Sequence, residues 1–278
     1  MRKNRAEKAR ETLQILDRGW YTVNDVRVDI SQEVKESKEN TELYAPDKLD
    51  ELVASIKLDT EHATVIEVVN ETTMEGAKAL HPDRNKVGVL NFASAKNPGG
   101  GFMGGAQAQE ESLARSSSLY LSIDPMQEMY NYNRSQRTYV YSDYMIYSEG
   151  VVFFRNDEME FVEPYQVDVL TSPAVNVGAM LQNNRSELAK VDEAMLKRLD
   201  KLLAVFVNKG VKHLVLGAWG CGVFRNDPKN VVGYFEHFLK NEGKYAKAFE
   251  TVRFSVLDSS NRGTYDCFTK LSTGNEKK

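Results

Sequence analysis

The sequence predicts an α/β fold, in which helices cover both faces of a layered sheet. Five short runs rich in β-branched and aliphatic residues are predicted to be strands: TVIEVV (64–69), VGVLNFA (87–93), YQVDVLTSP (165–173), HLVLGAW (213–219) and VRFSVLD (252–258). Stretches with helical spacing lie between several of these runs. Strands that alternate with helices along the chain are typical of this fold class.

The N-terminal part predicts a helix, a hairpin and a second helix ahead of these strands. Residues 5–17 have helical spacing with a short apolar stripe, and residues 47–56 form a second amphipathic pattern. Between them, Asn24-Asp25 separates two alternating runs in YTVNDVRVDI, which predicts a hairpin. Because no glycine- or proline-rich linker follows, we expect one domain over residues 1–278, with an extension (1–60) and a core (61–262).

Two later helices have clear boundaries in the sequence. Apolar residues recur at steps of three and four over 186–208, and Lys209-Gly210 is a typical helix end. Another helix is predicted to begin near Pro228, with Asp227 as its cap. We expect irregular connections over 174–185 and 122–150.

A tyrosine-rich segment covers residues 120–147. Its seven tyrosines are Tyr120, Tyr130, Tyr132, Tyr139, Tyr141, Tyr144 and Tyr147. The segment could face a ligand, but tyrosine suits half-exposed strand positions, and this simpler interpretation is preferred.

Composition excludes several classes of function. The formal net charge is −4, which gives no overall electrostatic attraction for nucleic acid, so no specific DNA binding is expected. The sequence contains no apolar run long enough for a membrane helix and no signal-peptide pattern at its start. Two widely spaced cysteines favour a reduced, cytoplasmic protein. The four histidines form no cluster with the spacing of a zinc site, so no zinc site is expected. No other metal and no cofactor are expected.

Two glycine-rich loops each follow a predicted strand and precede a helical stretch. The first is NPGGGFMGG (97–105) and the second is GAWGCGVFRNDP (217–228). Glycine lets a ligand approach the backbone closely, and loops at the carboxyl ends of strands are where α/β sheets bind ligands. The pair suits a ligand with a diphosphate, sugars and a base. Neither loop has a P-loop or Rossmann spacing, and the alternative is that both are only tight turns.

Adjacent glutamates follow the first loop. Glu110 and Glu111 diverge by about 100° on a helix, so they cannot form the facing pair of a retaining glycosidase. One can reach a reacting centre while the other binds a nearby hydroxyl. A glutamate in apolar surroundings has a raised pKa, which suits a general acid. Alternatively, both merely stabilise the first turn of a helix.

The combination of these motifs resembles a known family. PGGG (98–101), seven residues and QEE (109–111) are similar to the signature of the poly(ADP-ribose) glycohydrolases. The wider stretches LNFASAKNPGGGFMGGAQAQEESLARSS and GAWGCGVFRNDP resemble the microbial type, over most of the chain. The resemblance implies a macrodomain-like, three-layer α/β/α mixed sheet with an N-terminal helical and hairpin extension. It also implies an enzyme that hydrolyses ribose–ribose O-glycosidic bonds and releases ADP-ribose, mainly from chain ends.

The resemblance assigns roles around the first loop. Glu111 would protonate the departing ribose hydroxyl and then activate water, while Glu110 would hold the adjoining ribose hydroxyl. Gln109 would support this arrangement, and Asn97 would either donate to a ribose hydroxyl or shape the turn. The glycines expected to wrap the distal ribose and one phosphate are Gly99, Gly100 and Gly101.

The second loop would bind the other end of the ligand. Phe224 resembles the aromatic residue that stacks on adenine, and Cys221 is interpreted as a small buried residue rather than a nucleophile. The residues expected to hold the diphosphate are Gly220, Cys221, Gly222, Val223 and Phe224.

Two other functions remain open from the sequence. One is a non-catalytic ADP-ribose-binding macrodomain, which would need the loops but not two adjacent glutamates. The other is a hydrolase of mono-ADP-ribosyl linkages, which could use the same acid. The expected partners are poly(ADP-ribose) or an ADP-ribosylated protein as substrate and ADP-ribose as product, with no membrane.

Overall fold

A computed structural model describes residues 2–58, 60–81 and 86–274. The strands are β1 (Trp20–Val23), β2 (Val26–Asp29), β3 (Glu42–Tyr44), β4 (Val65–Val69), β5 (Val87–Phe92), β6 (Met145–Arg155), β7 (Phe161–Ser172), β8 (His213–Leu216) and β9 (Thr251–Ser255). The α-helices are α1 (Arg2–Arg18), α2 (Ser31–Glu39), α3 (Pro46–Ser55), α4 (Thr73–Leu80), α5 (Gln109–Ser116), α6 (Leu119–Ile123), α7 (Gln127–Ser135), α8 (Val177–Asn183), α9 (Val191–Asn208), α10 (Pro228–Leu239) and α11 (Thr264–Phe268). Short 3₁₀ helices cover Phe102–Gly104, Arg185–Lys190 and Thr269–Leu271.

Seven strands form one mixed sheet in the order β3-β6-β7-β5-β8-β9-β4. The five strands β7, β5, β8, β9 and β4 are parallel to one another. The strand β6 runs antiparallel to both β3 and β7. The carboxyl ends of these five strands therefore meet at one edge of the sheet. This edge is where an open α/β sheet offers a ligand site.

Helices cover both faces of the sheet, so the predicted three-layer α/β/α class is confirmed. Successive strand residues point to opposite faces, and the core is divided accordingly. Leu90 and Leu214 pack in one cluster with α9 and α10, while Val89 and Val215 pack in another with α4 and α5. A third cluster joins α1, α2 and the β1–β2 hairpin to β6.

Several elements lie where the sequence predicts them. The hairpin turns at Asn24 and Asp25, whose φ angles of 51° and 60° fit the tight turn that matches strand twist. The helix α10 begins at Pro228, and the Asp227 carboxylate accepts a hydrogen bond from the Lys229 backbone at 2.9 Å. The helix predicted over 186–208 begins later, because residues Arg185–Lys190 form a 3₁₀ helix ahead of α9.

The expectation of irregular connections was wrong in both places. Residues 122–150 contain α7 and the first part of β6, and residues 174–185 contain α8. The helix α8 has seven residues, too few to show a period, and begins where the Asn176 side chain accepts from the Ala179 backbone. The sequence analysis also predicted neither α2 nor β3, and β3 adds an edge strand from the extension to the main sheet.

The tyrosine-rich segment also differs from the preferred interpretation. Tyr130 is buried on α7, and Tyr147 is buried on β6 with its hydroxyl 2.5 Å from the Asp168 carboxylate. Tyr144 is nearly buried and donates to Glu128. Several of these tyrosines therefore fill the core instead of occupying half-exposed strand positions, and the hydroxyls of Tyr144 and Tyr147 are paired with carboxylates.

Candidate active site

A cleft of about 770 Å³ lies at the carboxyl ends of the parallel strands. Four segments at the ends of parallel strands line the cleft. Members of residues 71–74 follow β4, 93–101 follow β5, 218–224 follow β8 and 256–264 follow β9. The two glycine loops predicted from the sequence therefore meet in one site. Glu110 and Glu111 line the same cleft from the first turn of α5.

The first glycine loop folds directly onto the two carboxyl groups. Gly99 and Gly100 have φ angles of 68° and 58°, which side chains other than glycine rarely adopt. A Cβ atom on Gly100 would lie 2.4 Å from Glu111 Oε1 and 3.1 Å from Glu110 Oε2. Glycine is required here because the backbone turns and both carboxyl groups approach it.

The N-terminal helix supports this loop from outside. Arg2 and Arg5 donate through Nε to the carbonyl oxygens of Gly104 and Gly105, at 3.0 and 2.9 Å. A Cβ atom on Gly105 would lie 2.1 Å from the Arg2 carbonyl oxygen, so α1 packs against bare backbone. The extension therefore helps to hold the loop in place.

Glu110 lies in the wall of the cleft and is only 3% exposed. Its Oε2 accepts a hydrogen bond from the Ser94 backbone at 2.7 Å, and its Oε1 lies 3.4 Å from Asn91 Nδ2. Burial, helped by the nearby Glu111 carboxylate and opposed by the hydrogen bonds from Ser94 and Asn91, raises the pKa of Glu110 to about 8. Glu110 is therefore largely protonated at neutral pH.

Glu111 is half-buried and lines the cleft. Its Oε1 accepts a hydrogen bond from the Gly101 backbone at 3.0 Å, which fixes the carboxyl group against the glycine loop. The two neighbouring glutamates thus differ in environment, with Glu110 enclosed and Glu111 accessible. The raised pKa belongs to Glu110. The resemblance assigns proton transfer to the next residue, Glu111.

Gln109 fastens α5 to the sheet. Its side-chain oxygen accepts from the Phe92 backbone at 2.9 Å, and its Nε2 donates to the Leu90 carbonyl at 2.7 Å. The same nitrogen lies 3.3 Å from the Thr73 hydroxyl at the start of α4. These contacts fix the position from which Glu110 and Glu111 project.

Asn97 lies exposed at the rim of the cleft. Its backbone nitrogen donates to the Ser94 hydroxyl at 3.2 Å, and its carbonyl accepts from Gly100 at 2.9 Å. These backbone contacts shape the turn that leads into the glycines. The side chain stands at the opening of the site.

The second glycine loop contains two glycines with different surroundings. Gly220 has a φ of 76°, and a Cβ atom there would lie 2.6 Å from both Ala174 Cβ and Asn226 Nδ2. Gly222 has open space instead, since its Cβ atom would meet no described atom within 4 Å. Gly220 therefore allows tight packing, whereas Gly222 leaves bare backbone facing the cleft.

Asn226 shapes this loop, although the sequence analysis did not single it out. It is buried and donates to the carbonyls of Val175 (2.8 Å) and Gly220 (3.1 Å). The signal in the sequence was its position inside the second motif, four residues after Gly222.

The remaining residues of the second loop line the cleft with apolar groups. Phe224 is half-buried, and its ring centroid lies 5.9 Å from that of Tyr141. Val223 is 79% exposed at the rim. Cys221 is half-buried, and burial raises its pKa to about 12. A thiol that stays protonated is a poor nucleophile. Cys221 is therefore still interpreted as a small packing residue rather than a nucleophile.

The loop after β9 forms a wall that the sequence analysis missed. The Asp258 carboxylate accepts hydrogen bonds from the backbone of Arg262 and Thr264, both at 2.8 Å. These bonds lower the pKa of Asp258 and hold the loop closed ahead of α11. No recognisable motif marks this segment, because a single aspartate after a strand is common.

In residues 2–58, 60–81 and 86–274, no group of three or more His, Cys, Asp or Glu side chains could hold a metal ion. Within the same ranges, no helix has the length and apolar character needed to span a bilayer.

Comparisons with known proteins agree with this geometry. A family model described as microbial-type PARG, catalytic domain, matches residues 9–156. The structure of poly(ADP-ribose) glycohydrolase from Thermomonospora curvata is 41% identical with a TM-score of 0.93, over 96% of this chain and 99% of that chain. The same enzyme bound to the inhibitor ADP-HPD matches at 40% identity and a TM-score of 0.90, over 97% and 99% of the two chains.

A second bacterial enzyme is also similar. Poly(ADP-ribose) glycohydrolase from Deinococcus radiodurans in complex with ADP-ribose is 40% identical with a TM-score of 0.81, over 85% of this chain and 96% of that chain. Among curated proteins, no significant match was found.

Proposed function

The chain belongs to the microbial-type poly(ADP-ribose) glycohydrolase family, and from this premise we propose how its cleft works. The chain is a glycohydrolase that cleaves the O-glycosidic bond between two riboses of the polymer and releases ADP-ribose. One observation carries the proposal: both glycine loops, Phe224 and the accessible Glu111 line a single cleft of about 770 Å³. That volume is typical of protein sites that bind small organic ligands. Two related structures contain ADP-ribose or the inhibitor ADP-HPD.

Glu111 is the proposed general acid and base. It donates a proton to the oxygen that bridges the two riboses, so the glycosidic bond breaks and the departing ribose leaves with a neutral hydroxyl. The remaining sugar becomes oxocarbenium-like. The ionised carboxylate then takes a proton from the water that attacks this sugar. General acid–base catalysis of this kind contributes about 10²–10⁴ in rate. The hydrogen bond from Gly101 to Glu111 keeps the carboxyl group oriented during both steps.

Glu110 is proposed to position the ribose. A buried carboxyl group with a pKa of about 8 can donate a hydrogen bond to a ribose hydroxyl at neutral pH. In its neutral form Glu110 also adds no negative charge beside the diphosphate. Gln109 supports this arrangement through its bonds to the ends of β5 and α4.

The glycine loops are proposed to bind the rest of the ADP-ribose unit. The backbone of Gly99–Gly101 wraps the distal ribose and one phosphate, and Asn97 stands beside it at the rim. The open backbone around Gly222 receives the diphosphate, together with Gly220, Cys221 and Val223. Phe224 stacks on adenine. Backbone N–H groups supply the charge stabilisation that these phosphates need.

Three further statements belong to the proposal. The enzyme acts mainly from chain ends, and its protein partners are substrates that carry the polymer. A cytoplasmic location is favoured because Cys221 and Cys267 are free thiols, as is usual in reducing compartments. Fractionation of cells that express the protein would test this location.

The experiment that tests the function compares two substrates. Poly(ADP-ribose) and a mono-ADP-ribosylated protein are incubated with the protein, and products are separated by chromatography. We expect early release of ADP-ribose from the polymer, without accumulation of intermediate oligomers. Binding of ADP-ribose without release from the polymer would contradict the proposal and favour a binding module or a mono-ADP-ribosyl hydrolase.

A further inference from the structure

A second, smaller cleft of about 250 Å³ lies beside the first. The two clefts share the lining residues Met74, Gln107, Ser112 and Asp157, so they are neighbouring parts of one surface depression. Ser112 follows Glu111 directly, which places the second cleft next to the proposed reacting bond. Two arginines, Arg5 and Arg115, also line it.

Arg115 is buried in this cleft with unused hydrogen-bonding capacity. It is 2% exposed, and its terminal nitrogens donate to the Ala106 carbonyl at 2.7 Å and to the side-chain oxygen of Gln107. Its Nε–H is buried and has no partner among the described residues. Burial and the positive charge of Arg5, opposed by Glu111, together lower the pKa of Arg115 to about 10.

Arg5 adds a second cation at the same place. It is half-buried on α1, and the one hydrogen bond of its guanidinium to the described residues runs from Nε to the Gly105 carbonyl. Within the described ranges, no carboxylate forms an ion pair with Arg5 or Arg115. The cleft has one acidic lining residue, Asp157, whose carboxylate accepts from the Thr72 hydroxyl at 2.6 Å. The terminal N–H groups of Arg5 and the buried, carboxylate-free charge of Arg115 beside it together form a site for an anion.

We propose that Arg5 and Arg115 bind a phosphate of the ADP-ribose unit on the leaving side of the scissile bond. This inference rests on the proposed function. The departing ribose carries its own diphosphate only a few covalent bonds from the oxygen that Glu111 protonates. Arg115 lies one helical turn after Glu111, on the same face of α5. The leaving unit can therefore cross Gln107 and Ser112 and bring a phosphate into the second cleft.

The test separates the polymer from its product. The product ADP-ribose occupies the first cleft only, whereas the polymer also fills the second. Arg5→Gln is expected to lower kcat/KM on poly(ADP-ribose) by about tenfold, the equivalent of one hydrogen bond to a charged group. The dissociation constant for ADP-ribose should change less than kcat/KM on the polymer, because product binding loses only the Arg5 Nε bond that supports the Gly105 carbonyl. The salt dependence should also become weaker: the magnitude of the slope of log kcat/KM against log salt concentration should decrease by about one.

Two further variants control for other roles of Arg5. Arg10→Gln removes an exposed arginine from the same helix and should leave kcat/KM on the polymer unchanged. Arg5→Lys keeps the charge but not the Nε bond to Gly105, and it should retain most of the kcat/KM.

Three outcomes would overturn the inference. Arg5→Gln could weaken ADP-ribose binding as much as polymer hydrolysis, in which case Arg5 only supports the glycine loop. Arg10→Gln could lower kcat/KM equally, which would indicate diffuse attraction. Arg5→Gln could also leave kcat/KM on the polymer unchanged. If the wild-type protein binds ADP-ribose but does not cleave the polymer, the proposed function itself fails.

Discussion

Glu110 and Glu111 show how two adjacent identical side chains acquire different chemistry. Glu110 is enclosed by the end of β5 and the glycine loop, whereas Glu111 faces the cleft and is held by Gly101. The sequence motif predicted both residues as site candidates. It could not predict which carboxyl group would be buried, because that depends on how the loop folds over α5.

The protonation of buried Glu110 predicts a pH-dependent stability. Its pKa is raised from 4.5 to about 8, so the folded state binds a proton that the unfolded state has released between these values. Stability from this group is complete below pH 4.5 and is lost as pH rises through about 8. The loss is about 1.4 kcal/mol for each unit of pKa difference.

Denaturant unfolding of wild type and Glu110→Gln between pH 5 and 8.5 measures this effect. The free energy of unfolding should fall more steeply with pH in the wild type, since the variant cannot ionise at residue 110. Parallel curves would show that Glu110 is already ionised in the folded protein.

Phe224 predicts a change in binding rather than in chemistry. A stacked base contributes about 1–3 kcal/mol, so Phe224→Ala should raise the dissociation constant for ADP-ribose by about 5- to 150-fold. Phe224→Tyr keeps the ring and serves as the matched control. Calorimetric titration with ADP-ribose measures both. Equal affinity of Phe224→Ala and wild type would exclude stacking at this position.

At the level of elements, the site depends most directly on the shape of the first glycine loop. Gly100→Ala should lower both the stability and the activity of the protein. Residue 100 has a positive φ of 58°, and a Cβ atom there would lie 2.4 Å from Glu111 Oε1. The backbone strain costs about 1–2 kcal/mol. Displacement of the Glu111 carboxyl group should lower kcat by about 10²-fold.

Gly104→Ala is the matched control within the same loop, because its Cβ atom would meet no atom of the described residues within 4 Å. Thermal unfolding and polymer hydrolysis should therefore separate the two variants. Similar losses in both would show that the loop tolerates no side chain anywhere, and that contact with Glu111 is not the cause.

The elements that the sequence predicted and those that it missed differ in their physical signals. The strands of the parallel core are buried on both faces, so their apolar runs are easily recognised. The helix α7 buries Met129, Tyr130 and Asn133, and this mixture has no clear apolar period. The helix α8 is shorter than two full helical periods, and its start depends on one asparagine side chain.

At the level of the whole molecule, the N-terminal extension is joined to the core at several places. The strand β3 pairs with β6, and Ile15 packs in one cluster with Val152 and Phe154 of β6. The Thr12 hydroxyl donates to the Arg115 carbonyl at 2.5 Å. The sequence indicated one domain only through the lack of a linker. The contacts that would unite it are long-range and could not be predicted from local patterns.

These contacts predict a single cooperative unfolding transition for residues 1–278. We expect calorimetry, near-ultraviolet circular dichroism and loss of ADP-ribose binding to report the same midpoint, because the extension and the glycine loop unfold together. A separate transition at lower temperature, with binding retained above it, would show that residues 1–60 form an independent unit.

The most direct measurement is hydrolysis of poly(ADP-ribose) by wild type and Glu111→Gln, with ADP-ribose affinity measured in parallel. Glutamine keeps an oxygen for the Gly101 N–H but cannot transfer a proton, so kcat should fall by about 10²–10⁴ while ADP-ribose binding is retained. Hydrolysis by Glu111→Gln at the wild-type rate would contradict the assignment of Glu111 as the acid and base of the reaction.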